Sequence, residues 1–175
     1  DQVTVSGSSN LNVTATGSAA TCFNTSTGSA TAVATGATGT VTYQWSNGST
    51  NQTISNLSSG TYFVTVTDQA SGCTAFTSAF VSQPTQVAVT VTGVNLVCNT
   101  LGSATAVAAG GTPGYTYAWS NGGTGATINN LNAGAYAVTA TDANGCAAMG
   151  MVVITATNPS LTVTATVTQN ISAVG

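Results

Sequence analysis

The protein is a chain of 175 residues in which three aspartates are the only side chains with a formal charge at pH 7. Charged residues make up 2% of the chain, against about 25% of an average soluble domain, and lysine, arginine, histidine and glutamate are absent. This composition excludes an ordinary general base, an imidazole metal ligand and a cationic surface for nucleic acid, so we expect a structural or adhesive protein that is not an enzyme and has no cofactor.

The hydrophobic pattern has the period of β-strands along the whole chain. Short runs alternate threonine with valine, alanine or tyrosine, and glycine, asparagine and aspartate separate these runs. No apolar run approaches the ~18 residues of a membrane-spanning helix, so we do not expect membrane insertion. The pattern therefore predicts an all-β fold.

Four stretches follow one another along the chain. Residues 1–10 form an N-terminal extension with one strand signal. Residues 11–84 and 85–159 are predicted to be two copies of one module. Residues 160–175 contain one more strand, which either opens a third module or is donated to a neighbouring subunit.

Internal repetition supports this division. The segment 30–34, ATAVA, reappears unchanged at 104–108, and the segment 42–48, TYQWSNG, reappears at 116–122 as TYAWSNG. Each module has about seven short strands separated by turn residues. We therefore predict tandem Ig-like (Greek-key) β-sandwich modules.

An aromatic strand lies near the middle of each module. Tyr43 and Trp45 share one face by period-two alternation, and Trp119 is equivalent to Trp45 in module two. Asn47-Gly48 follows directly, and Asn-Gly is a strong signal for a β-hairpin. We expect both tryptophans to lie in the core; the alternative is a platform on which a sugar ring stacks.

A second aromatic motif has the spacing Leu-x-x-Gly-x-Tyr. It starts at Leu57 and ends at Tyr62 in module one, and it starts at Leu131 and ends at Tyr136 in module two. The spacing is that of a tyrosine corner, in which the phenol bonds back to the main chain at a crossover between sheets. An ordinary half-buried tyrosine is the alternative.

Four cysteines are divided equally between the modules. Of the three possible pairings, repeat symmetry favours Cys22 with Cys73 and Cys98 with Cys146, one disulfide within each module. A zinc site made of all four thiolates is the rival interpretation, although no Cys-x-x-Cys pair is present. Disulfides would indicate an oxidising, extracellular compartment.

Two other residue types are candidate sites. Asp68 and Asp142 occupy equivalent turns, where each either bonds its own turn backbone or contributes to a calcium site. Glycan attachment is suggested by six Asn-x-Ser/Thr sequons. These sequons begin at Asn12, Asn24, Asn47, Asn51, Asn56 and Asn170.

The C-terminal strand signal has one apolar face. The apolar positions alternate with threonine and are Leu161, Val163, Ala165 and Val167. If a neighbouring copy accepts this strand, main-chain hydrogen bonds would supply the affinity and the alternation would set the register. Such a head-to-tail contact builds a filament when it does not close on itself.

Taken together, the motifs Tyr-x-Trp-Ser-Asn-Gly, Leu-x-x-Gly-x-Tyr and Val-Thr-x-Thr-Asp, followed by Gly-Cys, resemble the SprB-type repeat of Bacteroidetes cell-surface and gliding adhesin proteins. The resemblance covers nearly all of both modules and is fullest over residues 110–122. Module one departs from it at Gly39-Thr40-Val41, where module two has Pro113-Gly114-Tyr115. The resemblance implies export by the type IX system and display at the cell surface, and it names no ligand.

We therefore expect a structural repeat unit of an extracellular fibre or adhesin stalk on the cell surface. Its expected partners are copies of itself, associated head-to-tail, or adjacent repeats. The alternative function is a carbohydrate-binding surface module with a glycan as partner. A third interpretation is an ice-binding surface, suggested by Thr-x-Thr pairs such as Thr65 and Thr67.

Overall fold

Residues 10–98 and 100–157 are described by the computed structural model, and their regular secondary structure is entirely β. Six strands form module one: β1 (Asn12–Ser18), β2 (Gly28–Thr35), β3 (Val41–Trp45), β4 (Thr53–Leu57), β5 (Gly60–Asp68) and β6 (Thr74–Val81). Eight follow in module two: β7 (Ala88–Val94), β8 (Leu96–Val97), β9 (Gly102–Ala109), β10 (Thr116–Trp119), β11 (Thr127–Leu131), β12 (Gly134–Thr141), β13 (Ala147–Ile154) and β14 (Ala156–Thr157). The predicted all-β class is confirmed.

Each module is a sandwich of two three-stranded antiparallel sheets. In module one the strand orders are β1-β2-β4 and β3-β5-β6, and module two repeats them as β7-β9-β11 and β10-β12-β13. The chain changes sheet between β2 and β3, again between β3 and β4, and once more between β4 and β5. This alternation between sheets is the Greek-key order of an Ig-like sandwich. In module two, β8 and β14 add a short parallel pair.

The core of module one lies between its two sheets, around a tryptophan. Trp45 is 1% exposed and packs in one cluster with Ala30 and Ala32 of β2 and with Val64 and Val66 of β5. The small alanines on β2 leave room for the indole ring, and the β-branched valines suit a strand that is buried on one face. Antibody domains link the corresponding two strands by a disulfide, whereas alanine and valine occupy those strands here.

Module two repeats this core with slightly different residues. Trp119 is buried with Ala104, Ala106 and Val138, and Ile154 of β13 closes the cluster. The predicted core role of both tryptophans therefore agrees with their burial. The same burial leaves no exposed indole face, so the sugar-stacking interpretation of Trp45 and Trp119 is wrong.

The Asn47-Gly48 dipeptide does not form the predicted hairpin, because the strands on either side of it do not pair with each other. The main-chain N–H of Gly48 donates to Trp45 O, and that of Trp45 donates to Ser49 O, which closes a tight turn. The chain then crosses to the other sheet, because β3 pairs with β5 while β4 pairs with β2. The Trp45 indole N–H donates to Asn51 O at 2.8 Å and holds this crossing over the core.

Each module has an upstream end, where its first strand begins, and a downstream end, where that strand finishes. At the upstream end of module one, the main chain of Thr38 reaches the turn at Asp68. At its downstream end, Ala20 N–H donates to Ser82 O at 2.8 Å, directly before the linker to module two. At the upstream end of module two, Gly111 N–H donates to Thr85 O at 2.9 Å. The downstream end of module one and the upstream end of module two are therefore adjacent in the chain.

Candidate functional site

A disulfide between Cys22 and Cys146 joins the two modules. The Cα atoms of the two cysteines are 5.7 Å apart, and 124 residues of sequence separate them. The predicted pairs, Cys22 with Cys73 and Cys98 with Cys146, are therefore wrong. The zinc interpretation fails as well, since no group of three or more metal-ligating side chains occurs among the described residues.

The positions of the cysteines in the sandwich explain this pairing. Cys22 follows β1 and lies at the downstream end of module one, whereas Cys73 precedes β6 and lies at the upstream end. A strand as long as β1 spans roughly 20 Å, and a disulfide requires Cα atoms within about 7 Å. Module two has the same arrangement, with Cys146 before β13 at its upstream end and Cys98 after β8 at its downstream end.

The repeat register contained a signal for this outcome. Gly28 opens β2 and Gly102 opens β9, 74 residues apart (102 minus 28), whereas the equivalent Val13 of β1 and Val89 of β7 are 76 apart (89 minus 13). The register therefore changes in the loop that holds the cysteine. Thr25 Oγ1 donates to Cys22 O and Thr100 Oγ1 donates to Val97 O, so Cys22 corresponds to Val97 and is one residue out of register with Cys98. The repeat symmetry on which the predicted pairing was based is therefore inexact at the cysteines.

The loop that presents Cys22 is held by threonine hydroxyl groups. Thr25 Oγ1 donates to Cys22 O at 2.9 Å, and Thr21 N–H donates to Thr27 Oγ1 at 2.8 Å. Asn24 N–H donates to Gln83 Oε1 at 2.8 Å, which fixes the loop to the linker. The cysteine thus projects from a braced loop rather than from a free end.

The turn that presents Cys146 is organised by Asp142. This carboxylate accepts hydrogen bonds from the N–H groups of Thr112 (2.8 Å), Asn144 (2.9 Å) and Cys146 (2.8 Å). The hydrogen bond from Thr112, followed by those from the turn, keeps the pKa of Asp142 below its ordinary value of 3.8. The aspartate therefore acts as a fixed anionic acceptor that positions the cysteine.

A side-chain amide spans the junction beside the disulfide. Asn144 Nδ2 donates to Thr21 O of module one at 3.2 Å and to Thr112 Oγ1 of module two at 2.9 Å. A crevice of about 230 Å³ lies at the same place. The crevice is lined by Cys22, Phe23, Gln86, Val87, Cys146 and Ala147.

Asp68 has the same role in module one, at the other end of the molecule. Its carboxylate accepts hydrogen bonds from Thr38 N–H (2.9 Å), Gly39 N–H (3.0 Å) and Ala70 N–H (3.1 Å), and from the hydroxyl groups of Thr38 and Ser71. The hydrogen bonds from Thr38 are the main reason that the pKa of Asp68 lies far below 3.8. The predicted turn role therefore agrees with the structure. The calcium interpretation disagrees with the structure, because the carboxylate oxygens of Asp68 face N–H and O–H donors.

Both predicted tyrosine motifs bond back to the main chain. Tyr62 Oη donates to Ser58 O at 3.0 Å, and Tyr136 Oη donates to Asn132 O at 3.0 Å. Leu57 and Leu131 are buried at the end of the preceding strand. In each module the phenol therefore ties the crossover between sheets, which is the geometry of a tyrosine corner.

The remaining predicted sites are surface positions or lie outside the described residues. The sites outside the described residues are Asn170 and the apolar positions of the segment proposed for donation, Leu161, Val163, Ala165 and Val167. Parts of the predicted terminal stretches lie outside the described residues as well. The other five sequon asparagines are exposed: Asn12, Asn24, Asn47, Asn51 and Asn56. Glycan attachment at them stays a prediction.

An exposed aromatic cluster on the outer face of the β3-β5-β6 sheet was not among the predicted sites. Phe63, Phe76 and Phe80 are 46%, 66% and 62% exposed, and the rings of Phe63 and Phe76 stack with centroids 5.7 Å apart. Period-two alternation could have found them, because Tyr62 and Val64 point inward and leave Phe63 on the opposite face. Met149, Met151 and Val153 are exposed on β13 of module two.

Comparison with known proteins finds a similarity in each module. The family profile of the SprB repeat matches residues 14–50 and 90–124, one segment in each module. These two segments are therefore similar to the SprB repeat, a type of repeat found in cell-surface adhesin proteins, as the sequence motifs indicated. A disulfide fits the extracellular location of such proteins. A search of curated protein sequences finds no match.

Several solved structures are similar to this chain at low sequence identity. The three N-terminal domains of the highly immunogenic outer capsid protein (Hoc) of bacteriophage RB49 match with a TM-score of 0.52 and 16% identity, over 85% of this chain and 59% of that chain. The amphioxus IgVJ-C2 molecule matches over 66% of this chain and 88% of that chain, with 20% identity and a TM-score of 0.33. DIP-gamma IG1+IG2 matches over 83% of this chain and 97% of that chain, with 11% identity and a TM-score of 0.41. The Ig-like class follows from the strand order described above, and the likeness to the RB49 domains extends to the fold alone.

No helix in the described part of the chain is long and apolar enough to cross a membrane.

Proposed function

We propose that the protein is a structural unit of an extracellular fibre or adhesin stalk. The observation that carries this proposal is the junction, where a disulfide and the Asn144 bridge join two Ig-like modules end to end. A unit whose modules are joined covalently at their touching ends holds a fixed spacing between whatever lies before it and whatever lies after it. Spacing is the task of a stalk.

The surface chemistry supports the same role. Threonines line the outer face of β5, where Thr61, Thr65 and Thr67 lie opposite the buried valines, and the chain has no cationic side chain with which to bind an acidic polymer or a phosphate. Edge strands without lysine also lack a common barrier to edge-to-edge pairing. Such a surface suits contact with further copies of the same module.

We propose head-to-tail association as the mode of assembly, with donation of segment 161–167, which the sequence predicts to be a strand, as its mechanism. Light scattering after size-exclusion chromatography tests this by comparing residues 1–175 with residues 1–159 at equal concentrations. Oligomers that form with the longer chain and are lost with the shorter one are expected. A monodisperse monomer in both cases would contradict strand donation.

Electron microscopy of native material tests the stalk function directly. Immunogold labelling of intact cells is expected to mark surface projections, and negative staining is expected to show filaments or elongated particles. Isolated, freely secreted globular particles with no label at the cell surface would overturn the proposal.

A carbohydrate-binding surface module is the second candidate, and the exposed phenylalanines favour it. Phe63 and Phe76 offer aromatic faces, and the absence of cations points to a neutral sugar polymer as ligand. Sedimentation with insoluble cellulose or chitin tests this. Phe63→Ala combined with Phe76→Ala should reduce binding about tenfold, roughly the loss of one good stacking contact. The matched control is Met149→Ala on the corresponding strand of module two. Equal retention of all three proteins would count against this function.

A further inference from the structure

The Cys22–Cys146 disulfide provides a short covalent path through the molecule. Along the main chain, 124 residues separate the two cysteines, and this stretch contains strands β2 to β12. Through the disulfide, their Cα atoms are 5.7 Å apart. Tension between the two ends of the molecule therefore reaches Cys146 from Cys22 without passing through the intervening strands.

Among the described residues, the two long strands outside this loop, β1 and β13, are already extended along the direction of the path. β1 (Asn12–Ser18) runs from the upstream to the downstream end of module one and ends four residues before Cys22. β13 begins directly after Cys146 and runs to the downstream end of module two, where Thr155 O accepts the N–H of Leu96. A strand rises about 3.3 Å per residue, close to the limit of roughly 3.3–3.6 Å for a fully stretched chain. These two strands can lengthen very little.

We propose that β1, the disulfide and β13 form a covalent tendon that carries tensile load through both modules. The load is then borne by main-chain and disulfide bonds, and both tryptophans lie in a loop that carries no tension. This proposal rests on the stalk function, because only a unit under tension makes use of such a path. It adds to that function a specific load-bearing element and the two residues on which the element depends.

The predicted pairing inside each module would have had a different consequence. With one disulfide in each module, the linker at 82–87 would remain in the path of the load, and so would the contacts between the modules. The observed pairing bypasses the linker. The braced loop at Cys22 and the turn held by Asp142 present the two sulfur atoms to each other at that point.

Single-molecule force spectroscopy tests the tendon. The full chain is held by peptide tags at residues 1 and 175, attached without thiol chemistry, and is stretched before and after reduction with dithiothreitol. The oxidised protein should lengthen little. The reduced protein should release the loop of 124 residues, about 40 nm more at roughly 3.5 Å per residue. An oxidised chain that lengthens as much as the reduced one would overturn the proposal.

Three variants make the result specific to the two cysteines. Cys22→Ser and Cys146→Ser should each release the additional 40 nm or so without reductant, and the double variant should release no more than either one. Cys98→Ser, at an exposed thiol, should behave as the wild type. A greater length in Cys98→Ser would mean that Cys98 belongs to the load path and would contradict the tendon. If a serine variant does not fold, the wild type reduced after folding gives the same comparison.

The force measurement tests the tendon, and the microscopy of native material tests the stalk function. Either proposal can therefore be refuted without the other. Full lengthening of the oxidised chain refutes the tendon and leaves a surface role intact. Native material without any surface structure refutes the stalk function, while a short oxidised trace still shows that the disulfide shields the loop.

Discussion

At the scale of single residues, two of the three charges in the chain are used as internal hydrogen-bond acceptors. Asp68 and Asp142 are buried at equivalent turns, and each accepts several N–H groups from the loop beside it. Glycine is required where that loop passes closest, because a Cβ on Gly111, which has φ +61°, would lie 2.3 Å from Asp142 Oδ2. A carboxylate bound in this way is favoured in its charged form.

Stability should therefore fall in acid. The pKa of Asp68 in the folded protein lies below its ordinary value of 3.8, so the unfolded chain binds more protons between these two values. The contribution of Asp68 is fully present above about pH 4 and is lost as the pH falls toward the folded pKa. Thermal unfolding measured from pH 7 down to pH 2 checks this.

Asp68→Asn should lower the melting temperature at pH 7 and flatten the decline in acid. Asp142→Asn should have the same effect to a smaller extent, since none of the described residues donates a hydroxyl hydrogen bond to Asp142 as Thr38 and Ser71 do to Asp68. Identical pH profiles for the wild type and Asp68→Asn would show that the carboxylate does not stabilise the fold.

At the scale of elements, the approach of the first strand to the last decides how each sandwich closes. In module one, a Cβ on Gly17 of β1 would lie 2.2 Å from Phe80 O of β6. In module two both strands carry such a glycine: a Cβ on Gly93 of β7 would lie 2.7 Å from Ile154 Cδ1, and a Cβ on Gly150 of β13 would lie 2.6 Å from Val91 Cγ2. Module one tolerates an added Cβ less well than module two, because the main-chain carbonyl of Phe80 cannot rotate away as a side chain can.

Gly17→Ala should force β1 away from β6 and destabilise the protein by roughly 1–3 kcal/mol, the usual range for overpacking. Gly60→Ala is the matched control, since its Cβ would meet only Tyr62 Cε2 at 4.0 Å, and its effect should stay within about 0.5 kcal/mol. Urea denaturation followed by tryptophan fluorescence measures both. Equal stability of the two variants would contradict the close contact.

The strands and their inward faces could be predicted because period two and an internal repeat are properties of the sequence itself. Trp45 and Tyr62 were placed in this way. The path of the chain after Trp45 could not be predicted in the same way, because the Asn-Gly dipeptide indicates a local bend and does not determine which sheet the next strand joins. The partner of Cys22 depends on which ends of two modules meet, and sequence spacing within a module does not contain that information.

At the scale of the whole molecule, the disulfide converts two sandwiches on a linker into one covalently closed unit. In the described part of the chain, the long strands β1 and β13 remain outside the closed loop, and strands β2 to β12 are inside it. Asn144 adds a polar contact across the same junction. The near absence of charge leaves this unit with little electrostatic repulsion between copies, which suits a protein that forms a fibre.

Cys22→Ser should lower the free energy of unfolding, because the unfolded chain is then no longer closed into a loop of 124 residues. Chain entropy sets an upper value of about 5 kcal/mol for a loop of this size. Guanidinium denaturation without reductant measures the change. Cys98→Ser should leave stability unchanged, and a loss as large as that of Cys22→Ser would show that Cys98 belongs to the linkage.

The connectivity of the cysteines is the central claim, and a peptide map of the native, unreduced protein tests it most directly. Trypsin has no site in a chain without lysine or arginine, so pepsin in acid is the suitable protease, and acid also suppresses disulfide exchange. Mass spectrometry should find one cross-linked pair of peptides that contains Cys22 and Cys146. A cross-link between Cys22 and Cys73 would contradict the joined modules and, with them, the tendon.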